Sequence, residues 1–151
     1  MRFGGLQKLT LLDYPGKVAC TVFVTGCNLR CPYCHNPSLV LSDRASDGLS
    51  VEELLAFLAA RQGKLDGVCV TGGEPTLCRD LPVLLRQIRA LGFPVKLDTN
   101  GTNPEMLESL VQEGLLDYVA MDIKNSPARY AETCGGIDLL SPVKQSAALL
   151  M

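Results

Sequence analysis

Four times in this chain an apolar, strand-like run gives way to a polar loop and then to a helix with its own start signal. That alternation constrains the fold more than any single motif does. Parallel strands joined through helices are connected right-handedly, and they build a parallel sheet covered by those helices. The runs are residues 18–24, 67–71, 94–101 and 117–124. The first is apolar at nearly every position, as a strand covered on both faces is. Ser50 with Glu53 forms a capping box for a first helix, which places Val51, Leu54, Leu55 and Leu58 on one face. Asp80 is the N-cap of a second helix carrying Leu81, Leu84, Leu85, Ile88 and Leu91, with Gly92 just past its end. Asn103 and Pro104 cap and open a third, with Met106, Leu107, Leu110 and Val111 inward and a stop at Gly114. Ser141 and Pro142 start a fourth, whose Val143, Ala147 and Leu150 run into the C-terminus without a stop. Ahead of the first unit, Asp13-Tyr14-Pro15-Gly16 is a turn signal that predicts a hairpin-like lead-in over residues 3–17. Residues 25–49 show neither period, and a loop that long in a compact domain is usually functional.

Each distinctive polar motif follows a strand rather than a helix. Cys27, Gly72, Asp98 and Asp122 are therefore expected along the carboxyl edge of the sheet, where α/β folds build active sites. The densest motif is the C-x3-C-x2-C of Cys27, Cys31 and Cys34. Thiolates are soft ligands that suit iron–sulfur clusters and zinc, and this spacing lets one loop aim three sulfurs at a common centre. Three cysteines on a four-iron cluster leave one iron open to a substrate or cofactor. The same residues also suit a structural zinc site in a non-catalytic interaction domain, with His35 as fourth ligand. Adjacent residues on an extended chain point apart, which makes joint ligation by Cys34 and His35 awkward. A disulfide framework fits worse, because seven cysteines is an odd number and nothing marks the chain as secreted.

The other motifs each carry two readings. Gly72-Gly73-Glu74 is either a tight strand-to-helix turn or a bared backbone that, with Glu74, binds an ammonium group. Asp98, Thr99 and Asn100 are either turn residues or holders of hydroxyls, a carboxylate or a cation. Asp122 and Lys124, two apart in the fourth strand, point to one face as a salt-bridged pair or as a clamp for a zwitterion. Cys20 and Cys69 read as buried small hydrophobes, and Cys78 and Cys134 as loop thiols.

A formal net charge of −2 and the lack of any basic stripe argue against nucleic acid as a partner. The N-terminus has no signal-peptide core and no apolar run approaches the roughly 20 residues of a membrane span. The expectation is a cytoplasmic protein with no membrane partner, its cysteines held as thiols or metal ligands.

Taken together, C-x3-C-x2-C with Tyr33 before the last cysteine, then Gly-Gly-Glu, Asp-Thr-Asn-Gly and Met-Asp-Ile-Lys in that order, resemble the radical S-adenosylmethionine enzymes. Cys-His-Asn-Pro and Leu-Asp-Tyr-Pro-Gly-Lys resemble, within them, the activating enzymes of glycyl radical proteins. The likeness is greatest to those serving anaerobic ribonucleoside-triphosphate reductase, with pyruvate formate-lyase activating enzymes as near relatives. The resemblance implies an α/β fold, a partial (β/α) TIM-like barrel of six units. It implies one 4Fe-4S cluster on Cys27, Cys31 and Cys34, with S-adenosylmethionine chelated by the open iron. By the same resemblance Tyr33, Gly72, Gly73, Glu74, Asp98, Thr99, Asn100, Asp122 and Lys124 are cofactor-binding, with a monovalent cation nearby in relatives. The implied partners are a glycyl radical protein, anaerobic ribonucleotide reductase above all, and a flavodoxin- or ferredoxin-type electron donor. Only about four of the six βα units fall within residues 1–151, so the expectation is the N-terminal part of a longer radical SAM core.

Overall fold

The computed structural model describes residues 2–40 and 48–151. Six strands form one mixed sheet in the order β3-β1-β2-β4-β5-β6. The predicted strands are β2 (Ala19–Val24), β4 (Gly67–Gly72), β5 (Val95–Thr99) and β6 (Tyr118–Met121), and each pairs in parallel with the next. The lead-in is one long strand, β1 (Arg2–Thr10), antiparallel to β2 with shifts in register at two points. Lys17 N–H donates to Tyr14 O at 3.1 Å and closes the predicted turn. A short strand, β3 (Leu49–Ser50), extends the antiparallel side against β1.

Period-two alternation sorts the strand residues between the two faces. Cys20, Val22 and Val24 of β2, Val68 and Val70 of β4, and Val95 and Leu97 of β5 all join the main core cluster. Over them lie α2 (Val51–Ala59), α3 (Leu81–Ala90) and α4 (Pro104–Gln112), which bury Leu54, Leu58, Leu81, Leu84, Leu85, Ile88, Leu107 and Leu110. Each such side chain contributes roughly 1.5–3 kcal/mol by leaving water, against about 1 kcal/mol for a cap. Apolar spacing therefore fixes where the helices lie, and the caps only trim their ends. The Ser50–Glu53 capping box is formed in both directions, at 3.2 and 2.8 Å. Asn103 caps α4 through Met106 N–H. Asp80 occupies the N-cap of α3 with its carbonyl accepting from Leu84 N–H, without the side-chain capping bond that its residue type suggests.

Three features depart from the sequence reading. The predicted loop over residues 25–49 contains α1 (Pro37–Val40) and the first residue of β3; residues 41–47 of that loop lie outside the described residues. The fourth strand stops at Met121, so Asp122 and Lys124 stand in the loop beyond it rather than on its pleat. Residues 127–133 form a 3-10 turn and then α5 (Tyr130–Thr133), ahead of α6 (Leu140–Leu150). With Leu29 from the cysteine loop, α5 and α6 make a second apolar cluster of Leu29, Tyr130, Cys134 and Val143. Cys134, which reads as a loop thiol, is thus fully buried behind that loop.

Replacing Ser50 by Ala should lower unfolding stability by about 1 kcal/mol, and Leu85→Ala by about 2–5 kcal/mol, because the second removes core volume as well as transfer energy. Urea titration of both variants checks this ordering; the reverse ordering would show that capping, not burial, holds the helical layer.

Candidate active site

The carboxyl ends of β2, β4, β5 and β6 open into one cavity of about 730 Å³. Cys27, Cys31, Tyr33 and Cys34 border it from the loop after β2. Gly72, Gly73 and Glu74 border it from β4, Asp98, Thr99 and Asn100 from β5, and Asp122 and Lys124 from the loop after β6. Every residue that the resemblance implies as a cluster ligand or cofactor contact is therefore brought to one place, and the parallel direction of the four strands is the reason.

The two glycines serve a purpose that the sequence does not show. A Cβ on Gly72, where φ is +122°, would sit 2.3 Å from Val24 O, and a Cβ on Gly73 would sit 2.0 Å from Gly26 O. The room they leave is filled by the backbone at the end of β2 and the start of the cysteine loop. Gly73 N–H donates to Val24 O at 2.8 Å and Glu74 N–H to Gly26 O at 2.7 Å, which docks that loop on the end of β4.

Glu74 fastens the next strand to the same point. Its carboxylate is 1% exposed and accepts from Thr76 N–H (3.1 Å), Thr76 Oγ1 (2.6 Å), Thr99 Oγ1 (2.7 Å) and Asn100 N–H (2.6 Å). Three of these donors meet Oε1 and one meets Oε2, so both carboxylate oxygens are bonded from within the protein. Asn100 continues the chain of contacts: its Nδ2 donates to Asn28 Oδ1 at 3.1 Å and faces Cys27 Sγ at 3.9 Å, while its Oδ1 accepts from Thr102. Leu29 N–H also donates to Cys27 Sγ, at 3.4 Å. N–H groups aimed at a sulfur favour its thiolate and tune a metal bound to it.

On the far side, Tyr33 Oη donates to Lys124 O at 2.9 Å, and Lys124 Nζ donates to Asp122 at 2.7 Å. Burial would lower the Lys124 ammonium, but its bond to Asp122 outweighs that and holds its pKa raised. Burial pushes the Cys27 and Cys31 thiols up; Lys124 partly offsets this at Cys31.

Three thiols on the wall of one cavity fit an iron–sulfur cluster. Among the described residues no three His, Cys, Asp or Glu side chains stand close enough to share one metal ion, as a mononuclear zinc site asks at about 2.3 Å per sulfur. A cubane cluster asks for something else, since each thiolate takes its own iron and the sulfurs surround the cluster.

The sequence comparison decides the family: the model of the radical SAM superfamily matches residues 21–150. The chain belongs to the radical SAM superfamily. It is 42% identical over 132 residues to a Methanocaldococcus jannaschii protein named as a candidate glycyl-radical enzyme activating enzyme, covering 85% of this chain and 52% of that one. It is 36% identical over 126 residues to the PqqA peptide cyclase of Methylorubrum populi, covering 81% of this chain and 32% of that one. The chain thus spans about half or less of these curated relatives. Among solved structures, anSMEcpe with bound AdoMet superposes with a TM-score of 0.63 at 24% identity, over 84% of this chain and 38% of that one, which shows the shared fold. Radical SAM membership carries with it a 4Fe-4S cluster and S-adenosylmethionine, and it sets the zinc reading of the cysteines aside.

Several cavity or supporting residues lie outside the motifs. Lys96 lines the cavity, and its signal was present, since it alternates with Asp98 on one face of β5. Asn28, Thr76 and Thr102 hold the loops together and had no signal short of the contacts themselves. In radical SAM terms the Gly-Gly-Glu segment of this chain is first a docking plate for the cysteine loop. Gly73→Ala should accordingly destabilise the fold by at least roughly 2 kcal/mol, because its Cβ meets backbone that cannot swing aside. An unchanged urea midpoint for that variant would show that the loop has room to retreat.

Proposed function

We propose that this chain is the cluster-bearing part of an activating enzyme that places a radical on a glycine of a client protein, anaerobic ribonucleoside-triphosphate reductase being the first candidate. The observation that carries the reading is the meeting of Cys27, Cys31 and Cys34 with the polar ends of β4, β5 and β6 around one cavity. The 42% identity to a protein named for glycyl radical activation supports the choice of client class.

When bound, the cluster supplies the electron that cleaves the sulfonium of S-adenosylmethionine to methionine and a 5′-deoxyadenosyl radical, which takes a hydrogen atom from the client glycine. Cys27, Cys31 and Cys34 hold three of its irons in this reading. Since the Glu74 carboxylate is buried and bonded to Thr76, Thr99 and Asn100, the contact with the ligand's amino group falls to the backbone of Gly72 and Gly73. Lys124 offers a charge for the ligand's carboxylate, and Asp122 keeps that ammonium in place. Tyr33 fixes the outer turn of the cysteine loop to the segment carrying Lys124. A flavodoxin- or ferredoxin-type protein is the electron donor in this reading.

The test is paramagnetic resonance on the full-length protein, reconstituted anaerobically, reduced, and mixed with S-adenosylmethionine and the reductase. A doublet that collapses when the client's glycine carries deuterium on its α-carbon is the expected result. Cleavage of S-adenosylmethionine without such a doublet would keep the radical chemistry and sink the activase. Iron content provides a second check. Cys31→Ala should lose the reconstituted cluster and Cys78→Ala should keep it; retention by the first variant would mean that the ligand set is misassigned.

A further inference from the structure

The resemblance described above places a monovalent cation near Asp98, Thr99, Asp122 and Lys124, and the residues present do not fit one: Asp122 already carries the Lys124 ammonium and Asp98 that of Lys96. Asp98 Oδ1 accepts from Lys96 Nζ, and Asp98 Oδ2 accepts from Cys69 Sγ at 3.5 Å. Both carboxylate oxygens are thereby engaged from within the protein. Lys96 faces the cavity because β5 alternates, with Val95 and Leu97 in the core cluster and Lys96 and Asp98 on the opposite face. Its side chain is only 8% exposed, and its ammonium also lies 3.8 Å from Cys69 Sγ.

The charges of this group balance. Burial alone would lower the Lys96 ammonium, but its bond to Asp98 and the charges of Asp98 and Asp13 outweigh it and hold the pKa raised. Burial, then the Asp98 charge, pushes the Cys69 thiol up to about 12, so it stays neutral and donates. Asp13 is engaged separately, accepting from Thr21 Oγ1 at 2.5 Å. The Lys96 ammonium neutralises Asp98 directly, and the Asp13 charge, which also reaches Lys96, holds that ammonium in its charged form. The Lys96 side of this pair is nearly buried and the Asp98 side chain is 31% exposed, so removing Asp98 would strand the ammonium with little water to take its place.

We propose that the Lys96 ammonium is a built-in replacement for an exchangeable monovalent cation: held on Asp98 inside the cavity, it fills the coordination that Asp98 would offer Na⁺ or K⁺ and makes ligand binding independent of both. The proposal deepens the radical SAM reading of the same cavity and rests on it only where S-adenosylmethionine is the probe.

Two measurements test it. In the first, ²³Na relaxation of the apo-protein is followed as Na⁺ is added, with no other ligand. The wild type is expected to show no saturable broadening, and Lys96→Met to gain it at the vacated Asp98. In the second, S-adenosylmethionine binding to the cluster-loaded full-length protein is measured in potassium, sodium and tetramethylammonium salts at equal ionic strength. Wild-type affinity is expected to agree across the three within about twofold, whereas Lys96→Met loses at least about tenfold in tetramethylammonium and recovers with K⁺ or Na⁺. Lys96→Arg keeps the charge and should stay independent of the salt. Saturable dependence of the wild type on either alkali ion, in either measurement, overturns the proposal; so does a folded Lys96→Met whose affinity ignores the cation. The wild-type measurements need no variant, so they decide the matter even if Lys96→Met fails to fold. Failure to bind S-adenosylmethionine in any salt would instead count against the proposed function, leaving the relaxation result to stand alone.

Discussion

The contact on which the site depends is the docking of the cysteine loop against the end of β4. Two backbone hydrogen bonds, from Gly73 to Val24 and from Glu74 to Gly26, pull the two strand ends together. No side chain fits between them, since an added Cβ at Gly73 would lie 2.0 Å from Gly26 O, far inside van der Waals contact. Glu74 then carries the constraint across to β5. A buried carboxylate is tolerated only when donors satisfy it, and Thr76, Thr99 and Asn100 do so from two different loops. Displacing any one of these groups would leave a charge buried and under-bonded, so three strand ends behave as one rigid rim.

Apolar packing supports the rim from behind in two separate places. The main cluster lies between the sheet and α2, α3 and α4, and it sets the spacing of the strands. The smaller cluster, built on Leu29, Tyr130, Cys134 and Val143, sits directly under the cysteine loop, with Cys27 and Cys31 packed against it. Leu29 is 2% exposed between two cysteines that reach the cavity. One buried side chain thus turns an otherwise irregular segment into a fixed platform, and it does so using helices from the far end of the chain.

Apart from Glu74, which neutral donors satisfy, the carboxylates and ammonium groups of the cavity come in pairs. Lys96 is matched by Asp98 and Lys124 by Asp122, one pair on the rim strand β5 and one in the loop beyond β6. They differ in exposure: the Lys96 side chain is nearly buried, whereas the Asp122 carboxylate is 71% exposed. Solvent screens the outer pair and leaves it free to exchange partners, while the inner pair, its Asp98 side chain 31% exposed, is screened less. Such a division gives the cavity a fixed inner charge pattern and an adaptable outer one.

The sequence by itself determined the four parallel strands, the amphipathic helices between them and the edge on which the motifs gather. Those features follow from local periodicity and from the handedness of βαβ connections, which need no knowledge of partners. It also pointed to Cys27, Cys31 and Cys34 as a metal-binding set, because thiol spacing is a local property. Tertiary structure alone decided what the glycines and acids of the rim do. Gly72 and Gly73 read either as a tight turn or as room for a ligand; on the side where a Cβ would stand, the room belongs to Val24 and Gly26, residues nearly fifty positions earlier in the chain. Glu74 and Asp98 read as open ligands, yet both are claimed by donors from other strands or from the next inward position on their own. Composition shows which groups are able to donate or accept; which donor reaches which acceptor is set only when distant segments pack, and that is why the wiring of the site had to wait for the fold.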